Sequence, residues 1–318
     1  MLVRVDGIGD ALACLPLAVG LRDAGHAISA LLTTRNAGVF AQRTFEAVHV
    51  VERIPWPKHG YTPATWRTAL GDSRAAGYDI ALVASEEPAA YAFARQAGIA
   101  RRVGFHNGLQ KPLKSWLVRR QLTRAIYRPA AQAEAPRHEV EVMYDLGRDL
   151  VGESEPTRDA KRLRELILES DVRSSHIPAV QVTGKWLSPQ RSEGAVRSWF
   201  AALGKAGQWA GFCSEAERGL GERLGAAAGL QMQYFASVKE WKEAIAAAPY
   251  LITPDTGAAH VAGMLATPTT DLFEAAGYTV QAARWSPWCG SKALRAFPTD
   301  AIGIENFATI LLEDWRRA

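Results

Sequence analysis

Ten residues in the last third of the chain, Leu251-Ile-Thr-Pro-Asp-Thr-Gly-Ala-Ala-His260, join a strand end, a sharp turn and a helix start with almost no side-chain bulk. Small residues at Gly257, Ala258 and Ala259 leave backbone N–H groups open to a ligand, and the positive end of a helix dipole favours an anion, so the segment suits a phosphate. His260 falls within the first turn and adds a donor. Without a ligand, Asp255 reads as an N-cap and His260 as a packing histidine. At the other end of the chain, Gly7-Ile8-Gly9-Asp10 follows a short apolar run. An aspartate at the glycine-rich start of a helix is kept ionised by the dipole and faces whatever lies above the sheet, although as a capping carboxylate it needs no further function.

These residues need a scaffold, and the hydrophobic pattern supplies one. Leu2 to Val5 reads as a strand that turns at Gly7-Ile8-Gly9 into an apolar helix running to about Asp23. Further strands are expected at Ala27 to Thr33, Ala47 to Val51 and Asp79 to Ala84, with helical stretches between. From Gly152 to Pro178 the composition turns polar and proline-punctuated, as in an interdomain connection, which places a boundary near residue 172. Alternation then restarts with strand Ala179 to Thr183, helix Glu193 to Ala206, strand Gln208 to Cys213 and helices Glu215 to Ala228 and Val238 to Ala248. Strand Tyr250 to Thr253, helix Gly257 to Leu265, strand Thr269 to Phe273 and a last helix from Ile304 to Arg317 complete it. The expected fold class is α/β: an N-terminal domain over residues 1–172 including the linker, a second over 173–303, and a C-terminal helix over 304–318.

The composition of the 318 residues excludes several classes. Hydrophobic residues at 48%, charged at 22% and aromatic at 9% fit a folded globular protein and not a collagen, a coiled coil or a disordered chain. Lys and Arg exceed Asp and Glu by 37 to 33, which favours anionic partners without the charge typical of nucleic-acid binders. Cys14, Cys213 and Cys289 are odd in number and widely spaced, which argues against a disulfide framework or a zinc site and for a reducing cytoplasm. No window reads as a membrane span or an export signal.

Gly7 and Gly9 also begin a dinucleotide fingerprint, but Leu12 stands where its third glycine belongs, and Thr33, Thr34 and Arg35 stand where an acidic residue would hold a ribose. A nicotinamide-dependent oxidoreductase is therefore a weak alternative. Taken together, the two segments resemble glycosyltransferase family nine, the lipopolysaccharide heptosyltransferases. The resemblance lies in Arg4, Ile8-Gly9-Asp10 and Pro16, and in Thr253-Pro-Asp-Thr-Gly-Ala-Ala-His-Val-Ala followed by Ala266-Thr-Pro-Thr and Leu272-Phe273. Weaker matches are Arg102-Val-Gly-Phe, His138-Glu-Val-Glu and Lys185-Trp with Pro189.

The resemblance implies a GT-B architecture, two Rossmann-like domains facing across a cleft, with the acceptor on the first and a nucleotide sugar on the second. It implies Asp10 as catalytic base and a donor site lined by Thr183, Lys185, Glu215, Asp255, Thr256, Gly257 and His260. The activity implied is inverting transfer of a sugar, heptose from ADP-heptose, onto a cell-envelope glycan such as the lipopolysaccharide inner core. A GT-B protein that binds nucleotide or glycan without catalysis is the alternative. Asp-x-Asp occurs nowhere in the chain, so the carboxylate pair that holds a divalent cation in the other major glycosyltransferase fold is missing, and a metal-free mechanism with no cofactor is expected. The chain departs from the family pattern in the short Val182-Thr-Gly-Lys-Trp segment and in Glu274-Ala-Ala-Gly after Phe273. Trp285-Ser-Pro-Trp288 either stacks on a sugar or packs internally.

Pro88 to Ala133 contains no acidic residue but nine Lys and Arg, the strongest bias in the chain. Leu113, Trp116, Leu117, Leu122 and Ile126 follow roughly one helical face among Lys114, Arg119, Arg120 and Arg124, the pattern of a basic amphipathic helix. Either this is a solvated face, or Arg119, Arg120 and Arg124 receive an anionic acceptor and the segment makes peripheral contact with the inner face of the cell membrane.

Overall fold

Strands buried on both faces of a parallel sheet read as short apolar runs, and the runs of this chain pair in register as such strands. The structure, a computed structural model, describes residues 1–52, 63–129 and 136–318. Its chain divides into two units, residues 1–158 and 159–318.

The first unit contains β1 (Leu2–Val3), β2 (Ala30–Thr33), β3 (Val48–Val51), β4 (Ile80–Val83), β5 (Arg101–His106) and β6 (Arg124–Tyr127). They form one parallel sheet in the order β3-β2-β1-β4-β5-β6. Its helices are α1 (Ile8–Leu12), α2 (Leu15–Asp23), α3 (Ala64–Ala76), α4 (Pro88–Gln96), α5 (Pro112–Arg119), α6 (Glu139–Tyr144) and α7 (Arg148–Val151). The core gathers Val3, Val5, Leu31, Val83, Trp66, Tyr91 and Phe93 between sheet and helices.

In the second unit, β7 (Ala179–Gln181), β8 (Ala210–Ser214), β9 (Gln231–Phe235), β10 (Leu251–Pro254), β11 (Thr269–Phe273) and β12 (Lys292–Ala296) pair in the order β12-β11-β10-β7-β8-β9, also all parallel. Helices α8 (Ala160–Glu165), α9 (Glu193–Ala206), α10 (Arg218–Leu224), α11 (Val238–Ala247), α12 (Gly257–Leu265), α13 (Tyr278–Trp285) and α14 (Ala301–Arg317) surround it. Counted within its unit, each sheet has the order 3-2-1-4-5-6, so chain direction across the sheet reverses between the unit's first and fourth strands. At that reversal the loops on either side diverge and leave a crevice beyond the carboxyl ends of the strands. In the first unit this is the β1/β4 edge; in the second it is β7/β10.

Several expectations need correction. The helix expected from the Gly7 turn to Asp23 is two helices separated at Ala13 and Cys14, because Pro16 at the second position of α2 starts a helix better than it continues one. Of the helix expected over Glu215 to Ala228, only Arg218–Leu224 is α-helical, flanked by single 3₁₀ turns where glycines weaken it. The amphipathic helix expected around residues 113–126 ends at Arg119; Arg124 and Ile126 lie on β6, and residues 130–133 of the acid-free stretch fall outside the described residues. The division between units falls ahead of residue 172, because Leu163, Leu166, Ile167 and Leu168 are already buried and α8 packs on α12. Helix α14 belongs to the second unit: its Phe307 and Trp315 pack edge-on against Trp199 and Trp209 at 4.9 and 5.2 Å.

Candidate active site

At the β1/β4 edge, the strand leaves the sheet through Arg4, Val5 and Asp6 and turns at Gly7 into α1. Arg4 is 1% exposed: its guanidinium donates to the Ala84 carbonyl, lies 3.3 Å from Asp6 and donates to Asp10 Oδ1 at 2.5 Å. Burial opposes its charge, but Asp10 and Asp6 more than offset that and raise its pKa. The other Asp10 oxygen accepts the Gly7 N–H at 3.1 Å, so Asp10 is a helix cap as well as an ion-pair partner. It nonetheless keeps 34% of its side chain exposed, unlike Arg4 behind it. Asn36 fixes this turn from below: fully buried, it donates to the Arg4 and Asp6 carbonyls, both at 3.1 Å, and accepts from the Thr33 N–H. Asp6, largely buried, has a raised pKa because of that burial, moderated by Arg4.

Beyond β4, Glu86 draws in Lys114 and Arg128, each at 3.0 Å, and Lys111 at 3.7 Å. Burial works against its charge, but these cations, Lys114 foremost, lower its pKa to about 2. Arg128 also pairs with the fully buried Glu139, next to the helix cap His138. Of the three arginines expected to receive an acceptor, Arg124 is ion-paired with Asp149. Arg119 and Arg120 are exposed, and Arg120 stacks over the Trp116 ring at 4.5 Å.

At the β7/β10 edge, Lys185 sits in a single 3₁₀ turn, Gly184–Trp186, directly after Thr183. Buried Trp186 anchors that turn by donating to the Gln181 carbonyl at 2.7 Å, which leaves Lys185 outside. Lys185 Nζ reaches the β10 edge and donates to the Asp255 backbone carbonyl. The cap of α12 is Thr256 rather than Asp255: Thr256 Oγ1 accepts the Ala258 N–H at 3.2 Å, and its carbonyl accepts from Ala259. The first turn is thus less open than its small residues suggest, and Gly257 presents the amide that Thr256 leaves over. The Asp255 carboxylate lies 3.9 Å from His260 Nε2, and His260 packs edge-on against Trp285 at 5.4 Å. Trp288 is buried, and its backbone presses on Gly263 so closely that no side chain fits there. Thus Trp288 packs internally while Trp285 borders the site.

Lys185, Asp255, Thr256, Gly257 and His260 are therefore brought together, with Thr183 two residues from Lys185. Glu215 stands apart after β8, held bidentately by Arg218 at 2.7 and 2.8 Å, which lowers its pKa. Its neighbour Glu217 touches the Lys185 turn instead, accepting the Gly184 N–H at 3.3 Å. Arg191, 3% exposed, stacks on Phe297 and donates to the Trp186 and Lys185 carbonyls while Glu274 holds it bidentately at 2.6 and 2.8 Å. The unusual Glu274 thus braces the short Lys185 segment. Finally Asp271 on β11 is fully buried and neither carboxyl oxygen has a hydrogen-bond partner. Burial, then repulsion from Asp255, raise its pKa well above the ordinary value against the pull of Lys185. Distance in sequence hid Asn36, Glu217 and Arg191; a lone aspartate in the apolar run Thr269 to Phe273 was a signal for Asp271.

One edge thus presents a positioned carboxylate, and the other a lysine, a histidine and a helix N-terminus suited to a diphosphate. β2 ends in Thr33 with Thr34 and Arg35 following, so no carboxylate stands there for a nicotinamide ribose. Two such units in one chain define a GT-B fold. No protein-family model and no curated protein matches the sequence. Among solved structures, the chain is similar to the E. coli heptosyltransferase WaaC with ADP (17% identity, 99% of this chain and 100% of that one, TM-score 0.71). It is also similar to E. coli ADP-heptose lps heptosyltransferase II (15%, 99% and 98%, TM-score 0.68) and to a glycosyl transferase family 9 protein from Veillonella parvula (14%, 98% and 90%, TM-score 0.69).

Proposed function

We propose that the protein is a family-nine glycosyltransferase that moves heptose from ADP-heptose onto an anionic cell-envelope glycan, with inversion and without a metal. The observation that carries this reading is that Asp10 and the Lys185–His260 constellation each occupy the strand-order reversal of a Rossmann-like sheet, in a chain whose full length superposes on heptosyltransferases. An ADP-sugar fits the solved neighbours, one of which holds ADP and another ADP-2-deoxy-2-fluoro heptose.

Inversion requires a base on the acceptor hydroxyl and a counter-charge for the departing diphosphate. Asp10 takes the proton late, once an oxocarbenium-like centre has acidified the hydroxyl, and Arg4 holds its carboxylate in place. The electron pair of the breaking glycosidic bond leaves on the diphosphate, where Lys185, His260 and the N-terminal end of α12 receive the growing charge. Arg119 and Arg120, both exposed, are the charges offered to an anionic acceptor.

The test is product formation from ADP-heptose and a heptose-free lipopolysaccharide core, read by mass spectrometry alongside GDP-, UDP- and dTDP-sugars. Asp10→Asn should lower turnover by about 10² or more while ADP affinity stays nearly constant. Near-normal turnover by that variant removes Asp10 from the mechanism. Donor binding by the wild type with no transfer to any acceptor favours the non-catalytic reading.

A further inference from the structure

We propose that the carboxyl end of the β6 edge of the first unit is a docking surface for an anionic lipid bilayer. Large apolar side chains are rarely left in water in a cluster, yet four lie within nineteen residues here: Leu109 is 94% exposed, Leu113 64%, Trp116 54% and Tyr127 56%. They are contiguous. Leu113 and Trp116 are one turn apart on α5, whose opposite face buries Ser115 and Val118. Leu109 occupies the 3₁₀ turn Gly108–Gln110 that packs against α5. Tyr127 closes the group, its ring so near Gly108 that an added Cβ would lie 3.0 Å away, at a φ of +56° that already favours glycine.

The surrounding charge is predominantly basic, its one nearby carboxylate being Glu86, which Lys111, Lys114 and Arg128 hold. Lys111, Arg119 and Arg120 border the apolar group, and no acidic residue occurs from Pro88 to Ala133. Arg119 and Arg120 enter none of the ion pairs of the described residues, and Arg120 stacks its cation on Trp116. Protruding leucines, a tryptophan and a tyrosine bordered by an excess of Lys and Arg match the interfacial zone of an anionic bilayer, where apolar tips enter the acyl boundary and arginines meet phosphates. No helix among the described residues is long and apolar enough to cross a membrane.

This inference does not rest on the glycosyltransferase reading, and its test uses vesicles free of sugar. The full-length protein should co-sediment at low ionic strength with vesicles of phosphatidylcholine and phosphatidylglycerol, and release in high salt or on pure phosphatidylcholine. Leu113→Ser with Trp116→Ser, and separately Arg119→Glu with Arg120→Glu, should each weaken that binding by about tenfold or more. All four side chains are exposed, so unchanged thermal unfolding of both variants separates lost docking from lost folding. Wild type left in the supernatant with anionic vesicles overturns the proposal. So does loss in the charge variant alone, which means adsorption without insertion, or a soluble dimer that the apolar variant dissolves, which assigns the surface to a second copy.

Discussion

At the carboxyl edge of the first sheet, Arg4 holds Asp6 and Asp10, Glu86 collects Lys111, Lys114 and Arg128, and Glu139 shares Arg128. At the matching edge of the second, Asp271 is buried without a hydrogen bond and Lys185 donates to a neutral carbonyl. The same strand order therefore supports two electrostatic states. The first edge is neutralised from within and holds a carboxylate ready-placed. The second keeps a cation that donates to a neutral carbonyl, which in the proposed function a diphosphate would replace. A base needs fixed geometry before substrate arrives, whereas a leaving-group site needs charge still available when the bond breaks.

The largest effect expected from this contrast is on folding. Arg4→Met leaves Asp6 and Asp10 facing each other without their shared cation, and removing one partner of a buried pair costs about 3–5 kcal/mol. Lys185→Met, at an exposed side chain, should change stability by no more than about 0.5 kcal/mol. Urea unfolding of the two variants checks this, and equal losses would break the contrast.

Binding should show the reverse asymmetry. Lys185→Ala should weaken ADP by about 1.5–3 kcal/mol, the scale of one charge-assisted contact, as read by calorimetry. Asp10→Asn should leave that affinity unchanged. An equal loss of ADP affinity in both variants would mean that the two edges do not divide acceptor and donor as proposed.

What the sequence made legible follows from burial. The strands β1, β2, β3, β4, β7, β8, β10 and β11 announce themselves as apolar runs, and both site turns adjoin them. The strands that escaped notice, β5, β6, β9 and β12, are half-exposed or begin with charge; Lys292 to Ala296 and Gln231 to Phe235 alternate too weakly to stand out. Arg124 and Ile126 read as helical because a short edge strand after α5 continues its spacing by chance. In the site, residues within one turn of each other, such as Asp255 to His260, were readable together. Arg191 with Glu274, or Gly184 with Glu217, meet only because parallel strands return to the same edge, and linear spacing carries no trace of that.

The smallest expected effect sets the two edges against each other through pH. Glu86 has a pKa lowered from 4.5 to about 2, so the folded state binds its proton less readily than the unfolded chain. Its contribution is present above pH 4.5 and is lost as pH falls towards 2. Asp271 has the opposite sign: its pKa is raised well above 3.8, so the folded state holds a proton that the unfolded chain releases. Its favourable share is complete below 3.8 and is lost as pH rises through the folded value. Glu86→Gln should therefore cost most near neutrality, with the gap to wild type closing in acid, because half of that side chain is solvated and its pairs are correspondingly modest. Asp271→Asn, which mimics the protonated form, should gain on wild type as pH rises from 4 to neutrality. Urea midpoints of both variants across that range decide it, and two pH profiles of the same slope would show that the edges do not differ in the way these two carboxyls imply.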